Sequence, residues 1–346
     1  MILGWRIVVA AIRESDAIGW VSNYGADAVK FQTFVPEALV SRHAAKAAYQ
    51  QQHTAADESQ LDMLRTLALD HTAHHSLRSH CRRRGIEFLS SPFDGASARF
   101  LIDEMDLRTL KLGSGEITNG PLLLQLARSG KPLILSTGMA TLPEVEQALA
   151  VLAFGYTEPS AAPRAADLRY RADSVRHPLQ DKVTLLHCTT EYPCPFADVN
   201  LRAMDTLRDA FGLPVGYSDH TPGIAVALAA VARGARVIEK HFTLDRGLPG
   251  PDHQASLEAD ELRQLVNAIR QIEAALGHGR KEPAASELKN RPIARKALVA
   301  ARPIRAGEVF TAANITAKRP AQGLSPMQFW DILGRTATRD YLTDEA

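Results

Sequence analysis

Seven apolar runs in this chain finish on polar or charged residues: ADAVKFQTF from Ala26, IEFLSSPF from Ile86, TLKLGSGE from Thr109, KPLILSTGM from Lys131, VTLLHCTTEYP from Val183, PVGYSDH from Pro214 and RVIEKHF from Arg236. Segments of helical periodicity separate them, among them 60–84, 142–153 and 259–276. Strands that alternate with helices imply a parallel sheet, because each return to a parallel neighbour needs a crossover. Runs without polar alternation are buried on both faces. WRIVVAAI, from Trp5, supplies an eighth strand, so the expected fold class is α/β, a (β/α)8 TIM barrel with functional groups at the strands' C-terminal ends. A doubly wound open sheet is the second architecture. RESDAIGWVSNY, which follows the first strand, is too short for a good helix, and the first βα unit reads as divergent or truncated.

The barrel is expected to occupy residues 1–278, with 159–180, rich in Ala, Arg and Pro, as a surface insertion. Residues 279–294 read as a linker. Residues 295–346 change character: ALVAARPI, GEVFT and ITAKRP read as short strands and SPMQFWDIL as one or two helical turns. They form a small β-rich domain of their own, too small to hold a site alone.

A formal net charge of +1 gives no broad attraction to nucleic acid or to an anionic membrane, and neither is expected as a partner. Cys81, Cys188 and Cys194 match neither a disulfide framework nor a zinc spacing and read as free thiols of a reducing compartment. No apolar run reaches membrane-spanning length and the start lacks a signal-peptide pattern, so a cytoplasmic protein is expected.

Lys30, Lys111 and Lys240 lie near the ends of expected barrel strands, where an inward cation is costly without an anion. A bound phosphate and carboxylate would supply one; pairing with Glu116 or Glu239 is the alternative. KLGSGE and LSTGM each place a hydroxyl, Ser114 and Ser136, beside glycines that let backbone N–H groups approach an anion. His220 and His241 end successive strands, so the two imidazoles meet at one end of the sheet and suit a borderline divalent ion with open positions for water and substrate oxygens. The Pro/Gly turn 247–252 carries Asp252 back over the same place. Thr190 and Tyr192 stand in a loop stiffened by Pro193 and Pro195. His71, His74, His75 and His80 share helical spacing but sit among arginines, and read as a solvated face.

GADAVKFQTF, KLGSGE, LSTGM, LLHCTTEYP, GYSDHT, EKHFT and PGPDH, in this order, resemble the sialic acid synthase family from about Gly25 onward. KALVAARPIRAGEVFTAANITAKRP resembles that family's antifreeze-like SAF domain. The resemblance implies a transferase that condenses phosphoenolpyruvate with an N-acylated amino sugar, N-acetylmannosamine or a diacetamido-trideoxyhexose, to give a sialic or legionaminic acid and phosphate. It implies a manganese or magnesium ion on His220 and His241. It places phosphoenolpyruvate at Lys30, Lys111, Ser114, Ser136 and Ser218, bordered by Thr190, and the sugar at Gln32, Glu116, Tyr192 and Asp252. It also implies a homodimer in which Arg319 of the small domain reaches the partner's sugar. One departure stands at the front: the family's first strand carries an A-E-x-G-x-N-H-x-G-like motif that this chain lacks, and Glu14 lies too close to Lys30 to replace its glutamate. Two other readings follow, a ligand-binding remnant without turnover and another phosphoenolpyruvate-condensing metal aldolase.

Overall fold

The structure, a computed structural model, describes residues 6–11, 15–41, 44, 46, 59–168, 172–248 and 252–346. The chain divides into two compact units, 1–277 and 278–346.

In the first unit eight parallel strands form one sheet: β1 (Arg6–Ala11), β2 (Ala28–Thr33), β3 (Glu87–Pro92), β4 (Leu110–Leu112), β5 (Leu133–Ser136), β6 (Val183–Cys188), β7 (Val215–Asp219) and β8 (Val237–Phe242). The hydrogen-bonded order is β3-β2-β1-β8-β7-β6-β5-β4. Pairing of β1 with β8 over six residues, Arg6 with Val237 through Ala11 with Phe242, joins the start of the sheet to its end. The result is a nearly closed barrel, with its seam between β3 and β4. The open-sheet alternative is thereby set aside.

Each strand is buried on two faces. Val8, Ala28, Leu89, Ile134, Leu186 and Val237 form an apolar layer inside the barrel. The larger core, with Val29, Phe31, Leu110, Leu135, Leu185 and Ile238, lies between the strands and the surrounding helices. Gly216 stands inside β7, where an added Cβ would come within 2.4 Å of the Val237 carbonyl oxygen and 2.6 Å of Leu186. A side chain there would push β7 and β8 apart. Helices begin where the sequence offers caps: Ser59 accepts from the Asp62 N–H, Asp70 from Ala73 and Asp94 from Ser97.

Two expectations are corrected, and the surface insertion gains an element. The segment after β1 does form a helix, Ser15–Asn23, with Ile18 and Val21 fully buried; two well-placed apolar residues suffice when the sheet supplies the packing. The expected surface insertion contains the helix Ala172–Leu179. His74 is not solvated but completely buried, on a helix (His71–Arg84) whose other histidines lie nearer the surface. Its Nδ1–H donates to the Asp70 carbonyl at 2.8 Å and its Nε2 accepts from Thr33 Oγ1 at 2.7 Å; Thr33 in turn meets Ser90 Oγ at 2.7 Å. His71 stacks on Phe100 with ring centroids 3.7 Å apart.

In the second unit, β9 (Ala297–Ala300) pairs antiparallel with β10 (Ile315–Lys318). Ala300, Ile304, Ile315 and Ala337 form its core, with Phe310, Phe329 and Tyr341 packed against them. GEVFT contributes only an isolated bridge from Val309 to Thr336, and SPMQFWDIL gives two single turns, Pro326–Gln328 and Phe329–Ile332. The stretch read as a linker holds two short helices, Ala285–Leu288 and Arg291–Ala294.

Candidate active site

The two-residue period of a strand sends alternate side chains inward and outward. Two residues beyond the apolar layer, the inward positions become polar: Lys30, Ser91, Ser136, Cys188 and Glu239, joined by Ser218 of β7 and Lys111 of β4. All of these are buried.

Glu239 is the hub. Its Oε1 accepts from Ser218 Oγ at 2.8 Å and lies 3.6 Å from Lys111 Nζ; its Oε2 lies 3.9 Å from Lys30 Nζ. Lys111 Nζ also donates to Ser136 Oγ at 2.7 Å and to its neighbour's carbonyl, Leu112 O, at 3.1 Å. Burial alone would raise the Glu239 pKa, but Lys111, Lys30 and the Ser218 hydroxyl outweigh it and hold the carboxyl at about 2. For Lys111 burial is the largest influence and lowers its pKa, with Glu239 opposing. Both members of the pair therefore move down, and the geometry favours the ion pair: a buried carboxylate facing two ammonium groups is stable only ionised. Within this ring two ammonium groups, Lys30 and Lys111, share the one carboxylate of Glu239.

Beyond that ring stand the two histidines, with ring centroids 5.4 Å apart. His220 Nδ1–H donates to the Thr189 carbonyl at 2.6 Å, which fixes the tautomer and leaves the Nε2 lone pair free. Ser218 Oγ is 3.3 Å from that nitrogen but gives its proton to Glu239. Burial lowers His220 to about 4, and burial together with His220 takes His241 well below the ordinary value, so both imidazoles are neutral near pH 7. His241 Nδ1 is buried without a hydrogen-bond partner; Asp252 Oδ2, at 3.6 Å, is too distant to be one. Burial raises the Asp252 carboxyl to about 6. Two neutral imidazoles with unused lone pairs, next to carboxylates, fit a divalent ion that completes its shell with water or substrate oxygens. No described cluster of three or more His, Cys, Asp and Glu offers an all-protein cage.

The Tyr192 ring, in the loop after β6, lies tilted against His220 with centroids 4.1 Å apart and meets His241 edge-on at 5.5 Å. Ser114 Oγ and Thr190 Oγ1 are 3.4 Å apart. Gly138 of LSTGM packs on both: an added Cβ would lie 2.6 Å from Thr190 Oγ1, 2.9 Å from Cys188 Sγ and 3.1 Å from Ser114 Oγ. Glu116 accepts from Asn119 Nδ2 at 2.7 Å and is not the partner of Lys30 or Lys111, a role that falls to Glu239. Gln32 stands exposed at the end of β2. Arg319 follows β10 in the second unit and is exposed. A groove of about 890 Å³ opens beside the ring, sharing Cys188 with it and bordered by Thr190, Met139, Glu191 and Arg202.

Ser91 and Cys188 join the site although the sequence reading gives them no role there, and Glu239 is its hub where the motifs suggest only a pairing with lysine. The signal for them is the spacing: Ser91 and Glu239 fall at the inward positions set by Leu89 and Val237. Lys240 faces outward, where its Nζ meets Asp219 Oδ2 at 2.8 Å. β1 reads RIVVAA and holds no carboxylate; Ala10 is the register partner of both Lys30 and His241. Glu14 and, in the Pro/Gly turn, Pro249, Gly250 and Pro251 lie outside the described residues.

A family model, the NeuB family, matches residues 17–281, and the SAF domain model matches 295–345. N,N'-diacetyllegionaminic acid synthase of Campylobacter jejuni subsp. jejuni serotype O:2 is 51% identical over 94% of this chain and 90% of its own. The synthase of the same name from Legionella pneumophila is 43% identical over 90% and 82%. The crystal structure of N-acetylneuraminic acid (sialic acid) synthetase from Leptospira borgpetersenii superposes with a TM-score of 0.64 at 28% identity, covering 83% of this chain and 90% of that one. A barrel with its polar groups at the strands' C-terminal ends, followed by a SAF domain, makes this chain a member of the NeuB family of sialic acid synthases.

Proposed function

We propose that this chain condenses phosphoenolpyruvate with an N-acylated amino sugar to give a nonulosonic acid and phosphate. The observation that carries the reading is the buried ring in which Lys30 and Lys111 converge on the single carboxylate of Glu239. Two ammonium groups that share a single carboxylate within the ring can turn to a small, multiply charged anion.

Lys30 and Lys111 would neutralise the phosphate and carboxylate of phosphoenolpyruvate. Ser136 already accepts from Lys111, so its own proton is available to an anion oxygen. Ser91 Oγ and Glu239 Oε2, buried without hydrogen-bond partners, face the same interior and support a polar ligand there. C3 of phosphoenolpyruvate forms the new bond to the open-chain aldehyde carbon, water adds at C2, and the C2–O bond breaks to release phosphate. A manganese or magnesium ion on His220 and His241 would polarise that aldehyde when bound. Tyr192 and Asp252, on the outer side of the histidines, hold the sugar, with Gln32 and Glu116 at the rim. Similarity to two synthases named for N,N'-diacetyllegionaminic acid supports a 2,4-diacetamido-trideoxyhexose as acceptor over N-acetylmannosamine.

Arg319 of a second copy completes the sugar site in this reading, and the working form is a homodimer. Cytoplasmic action is supported by three free, buried cysteines. No described helix is long and apolar enough to cross a membrane.

Phosphate release tests the proposal. Incubation with phosphoenolpyruvate, manganese and the diacetamido sugar is expected to release phosphate faster than with N-acetylmannosamine, and chelation is expected to stop it. Absence of release with either sugar would overturn the assignment; full release in the presence of chelator would overturn the metal role.

A further inference from the structure

The parallel register of β7 and β8 pairs Ser218 with Glu239 and Asp219 with Lys240. The first pair points into the barrel. The second points outward, into the layer between sheet and helices, one residue before each histidine. Lys240 Nζ donates to Asp219 Oδ2 at 2.8 Å and also to the Thr221 carbonyl. Asp219 Oδ1 accepts from the Thr221 N–H at 2.9 Å and from Thr221 Oγ1 at 2.8 Å. Asp219, Thr221 and Lys240 are each at most 1% exposed. This closed cluster grips the chain on both sides of His220 and on the residue before His241.

We propose that the Asp219–Lys240–Thr221 cluster is the positioning device that sets the spacing and direction of His220 and His241 as a metal-holding pair. The inference rests on the reading above that these histidines hold the divalent ion. A buried ion pair is poor evidence of stabilisation by itself, since desolvation offsets its attraction. Its placement supplies the meaning: because successive side chains alternate across the sheet, neither strand end can rotate its histidine without breaking the outward pair. The ring of Glu239, Lys30, Lys111 and Ser136 lies on the opposite face and makes none of these hydrogen bonds. Loss of the cluster should therefore weaken metal binding and leave phosphoenolpyruvate binding in place. These positioning residues touch no substrate.

Manganese affinity, read by electron paramagnetic resonance of the free ion, separates the possibilities. The parent chain, Asp219→Leu/Lys240→Met, Thr221→Val and His241→Ala are titrated in parallel. Thermal unfolding reports the fold, calorimetry without metal reports phosphoenolpyruvate binding, and the visible spectrum of the cobalt form reports ligand geometry. The double variant, which removes both charges together, is expected to bind manganese at least tenfold more weakly and to shift the cobalt bands, with phosphoenolpyruvate affinity unchanged. Thr221→Val keeps both charges and carries the test if the double variant does not fold, with a smaller loss in the same direction. Manganese affinity equal to the parent's in every folded variant of the cluster, with binding lost in His241→Ala, overturns the positioning role and leaves the metal reading intact. Equal binding by the parent and His241→Ala, or none by the parent, overturns both.

Discussion

At Gly138 one methyl group would press on the side of the site that the proposed function assigns to phosphoenolpyruvate. Thr190, Cys188 and Ser114 all close on the place its Cβ would take. Gly138→Ala is expected to raise the KM for phosphoenolpyruvate by roughly tenfold, equivalent to about 1.4 kcal/mol, with the barrel still folded. Steady-state kinetics beside a melting curve checks this; an unchanged KM would place the ligand elsewhere. Lys111 is fully enclosed and its ammonium joins Glu239, Ser136 and a backbone carbonyl. If Lys111 neutralises the phosphate as proposed, Lys111→Met is expected to lower kcat/KM by roughly a thousandfold, about 4 kcal/mol, in line with the loss of a preorganised donor. A loss of less than about tenfold, near 1.4 kcal/mol, would assign Lys111 a structural role only.

At the level of elements, the strands are legible in the sequence because each apolar run ends in the groups that the barrel needs at its mouth. His220 and His241 can be paired from sequence because each terminates such a run. Long-range partnership is harder to read. That Lys30 and Lys111 share Glu239 rather than Glu116 depends on which strands become neighbours across the barrel, and no local spacing encodes that. Lys240 shows what the two-residue period does encode: with His241 inward, Lys240 must face out. The histidine-rich helix misleads because the burial of His74 depends on Thr33 and Ser90, both distant in sequence. The short helix after β1 forms for a similar reason, through packing that propensity does not show.

Burial lowers the pKa of His74 and of His187, whose ring also meets the Val199 carbonyl at 2.7 Å. In the unfolded chain both would titrate near the ordinary histidine value of about 6.5. Below that value, down to the lowered folded pKa, the unfolded state binds more protons than the native state. Stability is therefore full above about 6.5 and falls as the pH drops through that window. The melting temperature is expected to decline from about pH 7.5 to about pH 5.5, and less steeply in His74→Gln. A melting temperature independent of pH in this range would contradict the burial argument.

For the whole molecule, the two-unit chain matters because Arg319 lies in the second unit while the polar ring lies in the first. If the small domain serves the partner's barrel, two defective chains should complement one another. His241→Ala lacks its own site but keeps Arg319; Arg319→Ala has the reverse defect. Mixed after co-expression, they are expected to recover up to about half of the parent's sites in each heterodimer, since one intact barrel meets one intact arginine. Activity no higher than that of the two variants measured separately would show that Arg319 acts within its own chain or not at all.

If the barrel mouth holds phosphoenolpyruvate and breaks its C–O bond after condensation with the sugar, the bridging oxygen must follow the phosphorus. Phosphoenolpyruvate labelled with oxygen-18 at the bridging position tests this in a single turnover. The label is expected to leave in phosphate, in amounts equal to the nonulosonic acid formed, and only when the N-acylated amino sugar is present. Phosphate carrying no label, or phosphate released without the sugar acid, would contradict it.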